Sequence, residues 1–137
     1  MRRRREWGNT VAISTTGIDS YTRNYDLVAA MKGALEALCR YLAFRLKDDN
    51  ARVNMVRTRA VETESAKAVV GSDFQRLAEK AGGTNQLITV EDVAGAVVSL
   101  CSGLLDDMNG QILNVDRGGL FSDNMLRLFT ERKELGL

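Results

Sequence analysis

The sequence contains no histidine, and this absence excludes two common kinds of active site. A Ser-His-Asp triad and a histidine-ligated metal centre both need an imidazole, so these 137 residues can form neither. Cysteine is almost as scarce. Cys39 and Cys101 both lie in apolar helical patterns, so we expect small buried hydrophobic side chains rather than a disulfide or a metal site.

Long apolar runs and a charge excess of one sign are also lacking. No run approaches the roughly 20 residues of a membrane-spanning helix, and no secretory signal is visible. We therefore expect a cytoplasmic protein with no membrane partner. The 19 basic and 18 acidic side chains nearly cancel. The arginine run at 2–5 would suggest nucleic acid or anionic lipid by itself, but no second basic patch supports a nucleic-acid partner.

Apolar patterns predict a strand–helix–strand–helix–strand order. The segment "NTVAISTTG" (9–17) and the segment "ARVNMV" (51–56) predict buried strands, and "GQILNVDRGG" (110–119) predicts a third. A long helix is predicted over 24–47, and a shorter one begins at Thr89, whose hydroxyl can cap it. This alternation implies an α/β fold with three parallel strands and flanking helices.

The remaining segments complete a single predicted domain over 1–137. Residues 57–71 show no clean period and predict a loop, Ser72 is a candidate cap for a short helix, and 120–137 has a helical pattern. For the long helix we expect an inner apolar stripe of Leu27, Val28, Met31, Leu35, Leu38, Leu42 and Leu46.

Tyr25 and Lys32 stand out on this long helix. Seven residues make nearly two turns, so both side chains share one face about 10 Å apart along the axis. An ammonium near a phenol makes the phenol a better proton donor or oxyanion partner. From spacing alone the plainer interpretation stays open, with Tyr25 at the edge of the apolar face and the Lys32 stem extending to solvent.

Five segments together resemble the short-chain dehydrogenase/reductase family. They are "VAISTTG", "YTRNYDLVAAMKGALEALCRYLAFRL", "ARVNMVRTRAVET", "TVEDVAGAVVSLCS" and "GQILNVDRGG", in the family's order over roughly 10–119. The family's usual tyrosine lies four residues before the lysine, where this chain has Val28. A tyrosine seven residues before the lysine resembles the enoyl-acyl-carrier-protein reductases. The resemblance implies the C-terminal half of a doubly wound, Rossmann-like parallel sheet.

The resemblance also implies roles for five residues. Tyr25 would hydrogen-bond the thioester carbonyl oxygen of the substrate, and Lys32 would hold the nicotinamide ribose. Tyr21 corresponds to a second tyrosine of the enoyl reductase branch. Thr15 takes the place of the family's active-site serine, with a catalytic and cofactor-binding hydroxyl. Thr63 would contact the cofactor.

Two departures from the family concern the cofactor. A dinucleotide site needs a glycine-rich turn at a helix N-terminus, but the chain has no Gly-x-Gly, so the family's glycine-rich half is absent from it. The Pro-Gly usual before Thr63 is replaced, and Arg59 stands in the glycine position. Arg57 and Arg59 could meet phosphate oxygens, or they could be solvated loop charges.

The resemblance implies an NAD(P)-dependent oxidoreductase of fatty acid biosynthesis that reduces the double bond of an enoyl thioester. NAD or NADP would be the cofactor, and the substrate would be linked to acyl carrier protein or coenzyme A. Two alternatives remain open: a ketoacyl or carbonyl reductase, and a non-catalytic half-domain for assembly. We expect the isolated chain to be inactive without an N-terminal half, and to pair as a homo-oligomer or with a complementary half chain.

Overall fold

The computed structural model describes residues 8–61, 63, 87–121, 124–134 and 136. The arginine run and the short helix expected after Ser72 lie outside these residues. The described elements follow in the order β1 (Gly8–Thr15), α1 (Asp26–Arg45), β2 (Ala51–Thr58), α2 (Val90–Cys101), β3 (Ile112–Val115) and α3 (Asn124–Thr130). The chain forms two compact units, 1–58 with 91–115 and 59–90 with 116–137. The single domain over 1–137 stays a prediction.

The first unit is built on a parallel sheet with the strand order β1-β2-β3. β1 pairs with β2 along its whole length, from Gly8 opposite Ala51 to Thr15 opposite Thr58. The fold class expected from the sequence is confirmed, with three parallel strands and flanking helices. Within the described ranges, no strand pairs with the far edge of β1.

The central strand β2 is buried on both faces, as expected for a parallel strand that is covered by other elements. Val53 and Met55 point towards α1 and form a core with Cys39 and Ala43 of that helix. The nearest apolar neighbours of this core are Ala12, Leu35, Leu42, Leu46 and Ile112. α1 therefore packs across β1 and β2 on one face of the sheet.

The inner face of α1 differs from the stripe expected from its leucines. Glu36, Cys39 and Ala43 are its buried residues, whereas Leu27 is 79% exposed and Met31 and Leu38 are also exposed. The expectation was wrong for those three residues because the helix turns a partly polar face to the sheet. Among the residues that the structure describes, none covers the more apolar face of α1.

Side-chain amides join the strands at the end of the sheet opposite Thr15. Asn109 accepts from the Val53 amide at 3.0 Å and donates to the carbonyl oxygen of Ala43 at 2.9 Å. Asn54 accepts from the Gln111 amide at 3.0 Å. Backbone groups between β2, α1 and the turn before β3 are satisfied in this way.

Several predicted boundaries and one burial assignment change. β3 is shorter than 110–119, and Cys101 is exposed rather than buried, at the last residue of α2. Cys39 is buried as expected. In the second unit, Val61 and Ile88 form an isolated parallel bridge. Among the described residues, no helix is both long enough and apolar enough to cross a membrane.

Candidate active site

The carboxyl end of β1 opens into a short turn beneath a cavity. The hydroxyl of Thr15 accepts from the Gly17 amide at 3.0 Å and so caps the 3-10 turn Thr16–Ile18. The cavity has a volume of about 450 Å³. Its lining consists of Gly17, Ile18, Asp19, Ser20, Tyr21, Thr22, Tyr25, Asp26 and Ala29. Carboxyl ends of parallel strands are the usual place for a ligand in open α/β sheets.

Tyr25 is the N-cap residue of α1 and is partly buried. Asn24 before it has a left-handed backbone, with φ of 61°, which asparagine tolerates better than most residues. The Tyr25 ring lies against Gly17, since a Cβ at Gly17 would come within 2.8 Å of its Cε1 atom. Gly17 therefore makes the space that the phenol ring occupies.

Lys32 reaches the same end of β1 from the second turn of α1. Its ammonium donates to the carbonyl oxygen of Ile13 at 2.7 Å. Tyr25 and Lys32 thus both direct their side chains to the carboxyl end of β1, the first onto Gly17 and the second onto Ile13. The Lys32 side chain is partly buried rather than extended into solvent.

The other three predicted site residues are Tyr21, Thr15 and Thr63. Tyr21 lines the cavity but is 88% exposed, so it lies at the rim. Thr15 stands at the strand end with its hydroxyl oxygen engaged by the Gly17 amide. Thr63 is partly buried in the second unit. The catalytic and cofactor roles of all five residues stay predictions.

A buried charge network lies beside Lys32. The Glu36 carboxylate is 4% exposed and accepts from the Ser14 hydroxyl at 2.6 Å and from Arg57 Nε at 2.9 Å. A second guanidinium nitrogen of Arg57 pairs with the other Glu36 oxygen, and a third contacts Asp19 at 2.7 Å. These groups join α1, β1, β2 and the turn that lines the cavity.

Similarity to known proteins identifies the family of this chain. The family model described as "Enoyl-(Acyl carrier protein) reductase" matches residues 1–119. The chain belongs to the enoyl-(acyl carrier protein) reductase family of short-chain dehydrogenases/reductases. A relative is the enoyl-[acyl-carrier-protein] reductase [NADH] FabI of Rickettsia prowazekii, 35% identical over 114 residues, which are 81% of this chain and 43% of the relative. The chain spans less than half the length of the curated relatives it matches.

Solved structures of other proteins share the fold. A structure described as an NAD(P) dependent gluconate 5-dehydrogenase from Beutenbergia cavernae superposes with a TM-score of 0.74 and 31% identity, over 85% of this chain and 47% of that one. The enoyl-[acyl-carrier-protein] reductase (NADH) of Aquifex aeolicus gives a TM-score of 0.65 and 25% identity, over 85% of this chain and 41% of that one.

Burial and the neighbouring groups shift the pKa of Glu36 in opposite directions. Burial raises the pKa of Glu36, but the hydrogen bonds from Arg57 and Ser14 and the charge of Arg57 outweigh it. The pKa of Glu36 is therefore lowered below its ordinary value. The hydrogen bonds to Glu36 raise the pKa of Arg57 above its ordinary value. Both groups are held in their charged forms.

Sequence reasoning missed Glu36, Asp19 and the role of Gly17. The interpretation of Arg57 as a solvated loop charge was wrong, because Arg57 lies in β2 with its guanidinium engaged by two carboxylates. The sequence carries no local signal of this pair, because Arg57 and Glu36 are 21 residues apart. Arg59 is partly buried, and its guanidinium packs against Gly119.

We predict that Glu36 makes stability fall in acid. Because its folded pKa is lowered, its contribution is present above the ordinary glutamate pKa and is lost as pH falls through the lower folded value. Glu36→Gln should reduce the free energy of unfolding at neutral pH and flatten its decline below the ordinary pKa, measured by urea unfolding at a series of pH values. Glu134→Gln, at an exposed glutamate, is the control. Parallel declines for wild type and Glu36→Gln would contradict the assignment.

A second prediction concerns Gly17. An alanine there must displace the Tyr25 ring, so Gly17→Ala should shift the Tyr25 ring signals in NMR spectra and cost about 1 kcal/mol, the low end for overpacking. Gly95→Ala is the matched control, because nothing lies within 4 Å of a Cβ at Gly95 in α2. It should stabilise the helix by up to about 1 kcal/mol. Unmoved Tyr25 signals in Gly17→Ala would disprove the packing.

Proposed function

We propose that this chain carries the substrate and nicotinamide-ribose half of an NAD(P)-dependent enoyl thioester reductase. The observation that supports it best is that Tyr25 and Lys32, seven residues apart, both reach the carboxyl end of β1, the first at Gly17 and the second at Ile13. Val28, at the position of the tyrosine that carbonyl reductases of the wider family use, has no group for proton transfer. Relatives named as enoyl-[acyl-carrier-protein] reductases [NADH] support the same reaction.

The described residues fit one end of a dinucleotide. An open cavity beside Gly17 and the ammonium of Lys32 suit a nicotinamide and its ribose hydroxyls, and NADP is bound in the Beutenbergia cavernae structure. A pyrophosphate needs a glycine-rich turn, and no Gly-x-Gly occurs in the chain. That turn is supplied from outside these 137 residues, and the cofactor is NAD or NADP.

The chemistry that the bound cofactor supplies is a hydride for the double bond of an acyl thioester. Tyr25 donates its hydroxyl hydrogen bond to the thioester carbonyl oxygen and stabilises the negative charge that develops there. Lys32, held by the Ile13 carbonyl, would bind the ribose hydroxyls with a positive charge at the same end of β1 as the phenol. Tyr21 closes the rim over the acyl chain, and Thr15 and Thr63 contribute hydroxyls towards the cofactor.

An assembly role is supported by a different observation. The outer face of α1 carries a stripe of exposed apolar side chains: Leu27, Met31, Leu38, Tyr41 and Phe44. A patch of this kind marks a surface for another chain, and β1 offers an edge that no described strand pairs. We propose that another polypeptide segment covers these surfaces, as a second copy or as a complementary half.

The test is a chimera in which the segment preceding the match in the Rickettsia prowazekii relative is joined to this chain. We predict NADH or NADPH oxidation with an enoyl thioester and not with a ketoacyl thioester. Tyr25→Phe should lower kcat by about 10²-fold or more, the scale of one lost oxyanion donor. Lys32→Ala should in addition raise KM for the cofactor, and Cys101→Ser, at an exposed position in α2, is the control.

The outcomes separate the three functions. Ketoacyl reduction that survives Tyr25→Phe would favour the carbonyl reductase. A folded chimera without turnover, together with stable oligomers of the chain in light scattering, would favour the assembly module. Unchanged kinetics in both Tyr25→Phe and Lys32→Ala would reject the proposed mechanism.

A further inference from the structure

A carboxylate that is a competing partner for Lys32 lies one helical turn away from it. Lys32 and Glu36 are four residues apart in α1, a spacing at which lysine and glutamate side chains meet on the helix surface. The ammonium of Lys32 nevertheless contacts the Ile13 carbonyl. Glu36 is directed to the next residue of the same strand, Ser14.

Arg57 explains this arrangement. It lies directly opposite Ser14 in the parallel register of β1 and β2, and it engages both oxygens of the Glu36 carboxylate. A buried carboxylate needs a cationic partner, and a planar guanidinium that binds both oxygens satisfies it better than a single ammonium. With Arg57 in place, Glu36 has no need of Lys32.

We propose that Arg57 is a positioning residue that sequesters Glu36 and thereby leaves the Lys32 ammonium at the carboxyl end of β1. Another guanidinium nitrogen of Arg57 donates to Asp19, in the turn that lines the cavity with Tyr25. Arg57 therefore fixes both the lysine and the turn without contacting substrate. This role rests on the proposed function, since it concerns the lysine that the reductase would use.

The charges around Glu36 make this dependence specific. The cationic groups near its carboxylate are Arg57 from β2 and Arg40 on α1, with Lys32 one turn before it on the helix. Ser14 from β1 donates a neutral hydroxyl, and Asp19 from the cavity turn adds a negative charge on Arg57. When Arg57 is removed, the ionised carboxylate draws Lys32 off Ile13.

The experiment follows the Lys32 ammonium by NMR in the full chain without any ligand. Lys32→Arg identifies the signal as the one that disappears. Arg57→Met should move the Lys32 signal once Glu36 is ionised, and Glu36→Gln/Arg57→Met should return it to the wild-type position. A merely structural role of Arg57 would lower the stability of the single variant without moving the Lys32 signal.

Arg52→Met is the control, because Arg52 is another arginine of β2, with its side chain 3% exposed against 13% for Arg57, and it pairs with Asp106 at 2.7 Å. It should leave the Lys32 signal in place. If Arg57→Met does not fold, Arg57→Gln takes its place, since an amide can hydrogen-bond Glu36 without neutralising it. In the chimera, Arg57→Met should raise KM for NADH about tenfold, equivalent to a tenfold loss of affinity. The double variant should restore the wild-type KM.

An unmoved Lys32 signal in the single variant at every pH at which it stays folded would overturn the proposal. So would a displaced signal in the double variant. A chimera that never binds NADH would refute the proposed reductase function alone, because the Lys32 signal is read without a cofactor.

Discussion

The ion pair between Glu36 and Arg57 is the interaction on which the arrangement of the first unit depends. It lies at the junction of α1, β1 and β2, where hydrogen bonds also reach Ser14 and Asp19. Breaking one partner of a buried ion pair typically costs about 3–5 kcal/mol. Two apolar residues could hold the same elements together at less cost. The charged pair is therefore better explained by what it positions than by the stability it adds.

What it positions is the start of α1 relative to the end of β1. The helix turns a partly polar face to the sheet so that Lys32 and Glu36 can reach adjacent residues of the strand, Ile13 and Ser14. The apolar packing that secures this face lies further along the helix, at Cys39 and Ala43. As a consequence, large apolar residues remain on the outer face, where a partner chain can cover them.

The sequence predicted the order of elements, the parallel sheet and the family, because apolar periodicity and motif spacing are local signals. It predicted the inner face of α1 wrongly at Leu27, since hydropathy alone favours the face with more leucines. Arg57 was misjudged for a different reason. Its partner Glu36 is 21 residues away in the sequence, and only the register of β1 against β2 brings the two together. Gly17 carried no readable signal of its contact with Tyr25.

The most direct test of a nicotinamide site is an NMR titration of the chain with reduced nicotinamide mononucleotide, which lacks the adenylate half and therefore the pyrophosphate that a glycine-rich turn would bind. We predict that the amide signals of Gly17, Tyr25 and Ala29 shift together with that of Lys32. Signals of Asn109 and Gln111, at the opposite end of the sheet, should stay in place. Shifts centred on Asn109, or no shift at the carboxyl end of β1 at millimolar ligand, would contradict a nicotinamide site there.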